Sequence, residues 1–145
     1  MAVELFDPQL VIARLADQVP ALKKVAGAAD FAAVVPDLKQ TPAAYVIELT
    51  NRAEPNSLAS MAVSQQNTVL FGVILAVQNL RDATGEKAGT DMGALRSAVM
   101  TALIGWEPDP DYDVLEYSGG RLLSLDNLVL WWQDDYFTRI LERSV

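Results

Sequence analysis

In the stretch GWEPDPDYDVLEY at 105–117, aspartates occupy alternate positions: Asp109, Asp111 and Asp113. Carboxylates at this spacing open calcium-binding loops, where the first, third and fifth positions supply oxygen ligands. Such a loop also needs a glycine at its sixth position and a bidentate glutamate at its twelfth. The sequence has Val114 and Gly120 at those two places. We therefore interpret residues 107–113 as a helix-to-strand connector that binds no structural metal, with a metal site as the alternative.

Other carboxylates that could take part in acid–base chemistry are Glu107, Glu116 and the pair Asp134-Asp135. The sequence does not show that they converge, and unpaired carboxylates are rarely buried, so we interpret them as surface groups. Histidine and cysteine are both absent, which excludes thiol nucleophiles, disulfides, the usual zinc sites and the commonest general base. Walker, dinucleotide-binding and nucleophile-elbow motifs are also missing. We expect no enzyme and no cofactor, with a small metal-dependent enzyme using the 107–113 carboxylates as a minor alternative.

The composition is that of one domain, 1–145, because 51% of the 145 residues are hydrophobic and can form a sizeable core. Acidic residues outnumber basic ones by 19 to 11, giving a net charge of −8, which disfavours binding to nucleic-acid phosphates. The N-terminus has no basic region before an apolar segment, and the longest apolar run, 69–77, is too short to cross a membrane. We expect a soluble protein made in the cytoplasm.

The first half of the chain contains one clear helix signal and two strand signals. Asp7 followed by Pro8 is a helix start, and apolar residues then recur at helical spacing up to Pro20. Residues 28–38 could form a short helix ending before Pro36, or a loop packed on the core. Alternation predicts a strand at 42–50, a long polar loop at 51–62, and a second strand at 67–79 that is apolar on both faces.

The second half predicts a turn at Gly85 and an amphipathic helix within 81–106. A meander of three short strands follows, with turns at the dipeptides Gly119-Gly120 and Asp126-Asn127. This order describes an α+β fold with a single, mostly antiparallel β-sheet and two main helices packed on one face. The other face would be covered by a partner subunit or by curvature of the sheet.

Two polar or aromatic groups suggest contacts with other molecules. Trp131 and Trp132 are adjacent, so in a strand they point to opposite faces and cannot form one stacking platform. We therefore interpret the two tryptophans as residues of the core and of a subunit interface. The run of Ser64, Gln65, Gln66 and Asn67 is polar and uncharged at the start of the most apolar strand, which indicates an exposed or hydrogen-bonded contact.

Five stretches together resemble the tail terminator, or tail completion, proteins of long-tailed bacteriophages. They are TPAAYVIEL, AVSQQNTVLFGVILAVQNLRDATG, ALRSAVMTALIGWEPDPD, LEYSGGRLLSLDN and LWWQDDYF. The resemblance covers about four fifths of the chain and includes no catalytic signature. It implies a tail-terminator-like α+β subunit of the virion tail. Six copies would form a ring on the head-proximal end of the tail tube, stop tube polymerisation and contact the head–tail connector.

The resemblance implies the tube protein, the connector and further copies of this chain as partners, with DNA passing through the lumen without specific binding and no membrane. Another head–tail joining subunit of the neck is the nearest alternative. The family has no fixed catalytic residues to carry over, so the candidate subunit or tube contacts are our own inference. They are Arg52, Glu54, Asn56, Gln65, Gln66, Trp131 and Trp132.

Overall fold

A computed structural model of the chain describes residues 3–34, 40–78, 86–126 and 128–144. The helices in these ranges are α1 (Pro8–Gln18), α2 (Ala28–Val34) and α3 (Glu86–Leu103). The strands are β1 (Lys24–Gly27), β2 (Ala43–Ala53), β3 (Ser64–Gln78), β4 (Glu116–Asp126) and β5 (Val129–Arg143). The predicted turn residues Gly85 and Asn127, and the predicted helix stop at Pro36, lie outside the described residues.

The five strands form one open mixed sheet in the order β1-β2-β3-β5-β4. β1 runs parallel to β2, and every other neighbouring pair is antiparallel. The predicted α+β class with a mostly antiparallel sheet is therefore confirmed. β3 and β5 pair along their full 15 residues and form the centre of the sheet.

The helix predicted from Asp7 and Pro8 is confirmed as α1. The Asp7 carboxylate accepts a hydrogen bond from the backbone N–H of Gln9, which satisfies a donor that the first helical turn leaves unpaired. Buried Val11 and Leu15 then face the sheet. The short helix weighed for 28–38 is α2, but β1 was not predicted, because its four residues KVAG are too few to show an alternating pattern.

The main core lies between one face of the sheet and the helices α1 and α3. It contains a row of stacked and edge-on rings that crosses the sheet from the N-terminal segment to β4. Successive ring centroids are 5.2–5.7 Å apart along Phe6, Phe71, Tyr136 and Tyr117. The prediction of two main helices on one face is therefore confirmed.

The opposite face of the sheet is partly covered by the chain itself. Phe31 of α2 packs against Tyr45 and Trp131 over a smaller buried cluster, with ring centroids 5.5 and 5.8 Å away. The expectation that this whole face depends on a partner or on curvature is therefore wrong at the β1–β2 end. In the described part of the chain, no helix is long and apolar enough to cross a membrane.

The C-terminal part differs from the predicted meander of three short strands. It forms a single hairpin of two long strands, and Asp126 pairs with Val129 across the turn. The predicted turn position is right to within one residue, since Leu128 has the positive φ of 69°. The predicted turn at Gly119-Gly120 is wrong, because both glycines lie inside β4.

Candidate assembly surfaces

A buried ion pair joins α3 to the C-terminal hairpin. The Asp134 carboxylate is fully buried and accepts two hydrogen bonds from Arg96, Nε to Oδ2 at 2.8 Å and Nη2 to Oδ1 at 3.0 Å. Oδ1 also accepts from the Tyr117 hydroxyl and from Trp132 Nε1, each at 2.9 Å. The Arg96 guanidinium lies 4.3 Å from the centroid of the Trp132 ring. The buried carboxylate thus accepts four hydrogen bonds, three at Oδ1 and one at Oδ2, and faces a positive charge, which compensates for its removal from water.

Electrostatics within this cluster follow from its contacts. The hydrogen bonds with Asp134 raise the pKa of Arg96, so its positive charge is held firmly. Burial raises the pKa of Tyr117, and its hydrogen bond to Asp134 adds to that effect. Tyr136 lies in the same row of rings, and burial raises its pKa most strongly. Its hydroxyl has no hydrogen-bond partner among the described residues.

The two glycines of β4 make room for this ion pair. Pairing with β5 shifts register between Tyr117 and Gly119, where φ is +148°, a β-bulge geometry that glycine allows. A Cβ on Gly120 would collide with Asp134 Oδ1 and would lie 2.7 Å from the Tyr117 hydroxyl. The two glycines that were predicted to form a turn therefore form a β-bulge at Gly119 and, at Gly120, a position where the Asp134 carboxylate packs directly against the backbone.

An open groove of about 490 Å³ lies along the outer side of α3. Arg96 lines the groove and reaches across to β4 by donating a hydrogen bond to Tyr117. Trp132, beneath the guanidinium, pairs with Leu122 of β4. We call this surface the α3–β4 groove. Its lining residues on the helix are Gly93, Arg96, Ser97, Met100, Thr101 and Ile104.

The β4 side of this region carries exposed apolar side chains that the sequence analysis did not single out. Four leucines of the β4–β5 hairpin, each 41–56% exposed, are Leu122, Leu123, Leu125 and Leu128. β4 is also an edge strand, so the backbone groups on its outer side have no strand partner in the described chain. The stretch SGGRLLSLD was read as a turn followed by a short strand, which hid this exposed row.

A second exposed feature is the hairpin arm, which we define as residues 48–66 at the far end of β2 and β3. β2 is buried up to Val46 and exposed from Glu48 onward. Five candidate contacts lie together here, and they are joined by hydrogen bonds. Glu54 N–H donates to the Gln66 carbonyl at 2.7 Å, and Gln65 Nε2 donates to the Glu54 carbonyl at 2.9 Å.

The tip of the arm is also organised by its own side chains. The Asn56 carboxamide oxygen accepts from the N–H groups of Leu58 and Ser64, and its Nδ2 donates to the Ala62 carbonyl. The polar loop predicted at 51–62 is therefore shorter than expected, since residues 51–53 belong to β2, and Asn56 gives the remainder side-chain hydrogen bonds of its own. Arg52 forms no ion pair in the described part of the chain, so its charge is available to a partner.

The remaining two candidates, Trp131 and Trp132, lie at the opposite end of the sheet. Glu142 pairs with Gln65, and Trp132 lies ten residues before Glu142, so strand geometry separates the two groups by about 33 Å. The two tryptophans point to opposite faces, as predicted: Trp131 contacts Phe31, and Trp132 contacts the Arg96–Asp134 pair. The structure therefore divides the seven candidates into two surfaces.

Four of the candidate carboxylates, Asp113, Glu116, Asp134 and Asp135, are each paired with an arginine, and Asp113 and Glu116 share Arg139. Asp134 is held by Arg96, while Asp135 points to the other face of the sheet and pairs with Arg121 at 3.1 Å. Glu116 lies 3.5 Å from Arg139. Such arrangements serve to neutralise charge, and they do not place two free carboxylates across a substrate.

The stretch around 107–113 is a connector, as predicted. Tyr112 fixes it to the core, since its hydroxyl accepts from the Asp7 N–H at 2.9 Å and donates to the Leu5 carbonyl. Asp113 N–H donates to the Arg139 carbonyl of β5. Within the described ranges, no three carboxylates are grouped closely enough to hold a metal ion. That residues 107–113 bind no structural metal stays a prediction.

This acidic end of the molecule does bring carboxylates near the N-terminal segment. Partial desolvation raises the pKa of Glu4, and a hydrogen bond to Asp111 and the charges of Asp109 and Glu142 add to the effect. The buried carboxylate oxygens of Glu142 have no hydrogen-bond partner among the described residues. The proximity of Glu4 to Asp109, Asp111 and Glu142 was not predicted, because these residues are far apart in the sequence or separated by other elements.

These features define an α+β subunit whose main exposed features are an arm, an edge strand and an open groove, which are surfaces suited to assembly. A family model described as phage tail terminator protein matches residues 1–144, so the chain belongs to the phage tail terminator family. The resemblance seen in the sequence is confirmed. Membership gives the chain a role in completing the phage tail and favours a structural, non-enzymatic protein. A comparison with curated proteins finds no match.

Proposed function

We propose that six copies of this chain form a ring that caps the head-proximal end of the tail tube. The ring stops tube polymerisation and provides the interface to the head–tail connector. The observation that carries this proposal is the family match, which extends over 144 of the 145 residues. The protein would act in the virion tail after assembly in the host cytoplasm.

Charge supports a ring through which DNA passes. The net charge of −8 repels phosphates, so DNA would slide through the lumen without being captured. Several arginines of the described chain are already neutralised by carboxylates, as in Arg96 with Asp134 and Arg121 with Asp135.

The hairpin arm is the surface that we assign to the tail tube. It is the end of the sheet where β2, β3 and β5 lie side by side, and exposed Arg52 and Glu54 offer both signs of charge to a partner. Its own hydrogen bonds hold the arm in shape before binding, which lowers the entropy cost of forming a contact. The residues assigned to this contact are Arg52, Glu54, Asn56, Gln65 and Gln66.

The test is a capping assay in which purified subunit is added to growing tubes of the phage's own tube protein. Tubes should stop growing at sub-stoichiometric subunit, and their lengths should become shorter as more subunit is added. Unchanged tube lengths would contradict the capping function.

Charge-reversal variants then test the arm. Arg52→Glu should weaken capping without lowering the melting temperature, because the side chain has no ion pair to lose in the described chain. Arg52→Lys is the matched control, since it keeps the positive charge at the same exposed position. If Arg52→Glu caps as well as Arg52→Lys and the wild type, the arm is not the tube contact.

A further inference from the structure

We infer that the α3–β4 groove binds a neighbouring copy of this chain, an inference that rests on the proposed ring. The starting observation is a mismatch between the sheet and its helices. α1 packs on β1 and β2, and α3 packs on β3 and β5. Strands lie about 4.8 Å apart and packed helices about 9 Å apart, so two helices cover roughly four strands. The fifth strand, β4, is left uncovered on its helix side.

The uncovered strip is apolar where a surface strand would normally be polar. Leu122 and Leu125 point to the helix side of the sheet and are 54% and 53% exposed. Met100 and Ile104 add apolar side chains to the groove along the outer side of α3. Monomeric proteins blunt an edge strand with lysine, proline or a covering element. β4 contains no lysine or proline; its charged residues are Glu116 and Asp126 at its two ends and Arg121, which is engaged by Asp135.

Charge identifies the occupant as a second copy. The chain carries −8, so two copies repel each other at most of their surfaces. The α3–β4 groove has no carboxylate among its described lining residues, and Arg96 there is neutralised by buried Asp134. An acidic neighbour therefore meets the least repulsion and the most apolar area at this surface.

The geometry of a ring adds a directional requirement. Subunits in a closed ring meet through two different patches, so the groove of one copy must receive another part of the next copy. The β4 edge and the β1–β2 edge are at opposite sides of the sheet. The groove at the β4 edge would therefore receive the β1–β2 side of the neighbour.

Photo-crosslinking in assembled tails tests this assignment. Leu122 is replaced with p-benzoylphenylalanine, a change of one large apolar side chain for another at an exposed position. Irradiation should give a covalent species of twice the 15.8 kDa subunit mass, with the crosslink mapping to residues outside β4. A crosslink to the tube protein or connector alone, a link from β4 to β4, or no crosslink in tails that contain the subunit would overturn the inference.

A pair of glycine variants provides an independent measurement. Gly93→Glu places bulk and negative charge in the groove, while the Cβ position itself has open space around it. Gly89→Glu is the matched control, since it makes the same change one helical turn away, also in open space. We expect Gly93→Glu to lower subunit incorporation into tails at least tenfold at an unchanged melting temperature, and Gly89→Glu to behave as wild type. Equal incorporation of the two variants would contradict the inference.

Failure of this inference can be told apart from failure of the ring proposal. If purified wild-type subunit caps tubes but the groove variants assemble normally, the ring stands and its contact lies elsewhere. If wild-type subunit does not cap tubes, the ring proposal fails, whatever the crosslinks show.

Discussion

Replacing Gly120 with alanine should be the most damaging single-methyl change in β4. The new Cβ would occupy the space of Asp134 Oδ1 and press on the Tyr117 hydroxyl and Trp132 Nε1. These are side-chain atoms of a buried, hydrogen-bonded cluster, so the carboxylate must leave its position and lose its bonds to Arg96. Disrupting a buried ion pair costs roughly 3–5 kcal/mol, and the partial exposure of Arg96 places this case near 3 kcal/mol.

The assay is urea unfolding of purified subunit, supported by thermal melts. A loss of about 3 kcal/mol corresponds to a fall in melting temperature of roughly 9 °C for a chain of this length. Gly93→Ala is the control, because its Cβ has open space and the change should stabilise α3 by up to about 1 kcal/mol.

A double-mutant cycle completes the test. Asp134→Ala removes the carboxylate that the new methyl group would meet, so Gly120→Ala should cost far less in that background than in the wild type. If Gly120→Ala melts within about 1 °C of the wild type, or if the two changes are additive, the cluster is not packed as described.

Three further outcomes follow from the contacts described. Tyr136→Phe should be neutral or stabilising because the buried hydroxyl of Tyr136 has no hydrogen-bond partner among the described residues, whereas Tyr117→Phe should cost about 1 kcal/mol because the hydrogen bond to Asp134 is lost. Urea unfolding of both variants measures the two free energies. A larger loss of stability for Tyr136→Phe than for Tyr117→Phe would contradict the contacts described. The pKa of Glu4 is raised in the folded state, so the unfolded chain loses this proton at lower pH and the stability of the fold falls as pH rises above 4.5. The variant Glu4→Gln should therefore have a higher melting temperature than the wild type at neutral pH and the same melting temperature below pH 4.5. Equal melting temperatures of the two proteins at both pH values would contradict this prediction. Amide exchange in the 51–62 loop should be faster in the free subunit than in assembled tails, and equal protection in both states would sink that idea.

The elements that were predicted correctly are those whose structure depends on neighbouring residues in the sequence. Asp7 and Pro8 define the start of α1 because capping depends only on neighbouring residues. The lack of apolar–polar alternation along β3 predicted a strand covered on both sides, and the pleat of a strand predicted opposite directions for the adjacent Trp131 and Trp132 of β5. These conclusions needed no knowledge of which elements meet.

Sequence reasoning failed where distant residues decide the structure. A buried aspartate in the middle of a strand is unfavourable by itself, and only Arg96, 38 positions away, makes Asp134 acceptable there. The sequence alone suggests that Gly120 is a turn residue, whereas the structure shows that glycine is needed there because the Asp134 carboxylate packs against it. For the same reason the exposed leucines of β4 and the groove beside them could not be found from periodicity. The candidate contacts lie on two surfaces because the pairing register, which the sequence does not specify, puts Gln65 of β3 and Trp132 of β5 at opposite ends of the sheet.

The central claim is that this subunit ends tail growth, and tail length in an infection that lacks the protein measures it most directly. Tube polymerisation is favourable ring by ring, so without a cap we expect tails longer than normal, broadly distributed in length and not joined to heads. Supplying wild-type protein from a plasmid should restore both the length and the joining. Tails of normal length that carry heads in the absence of the protein would contradict the account.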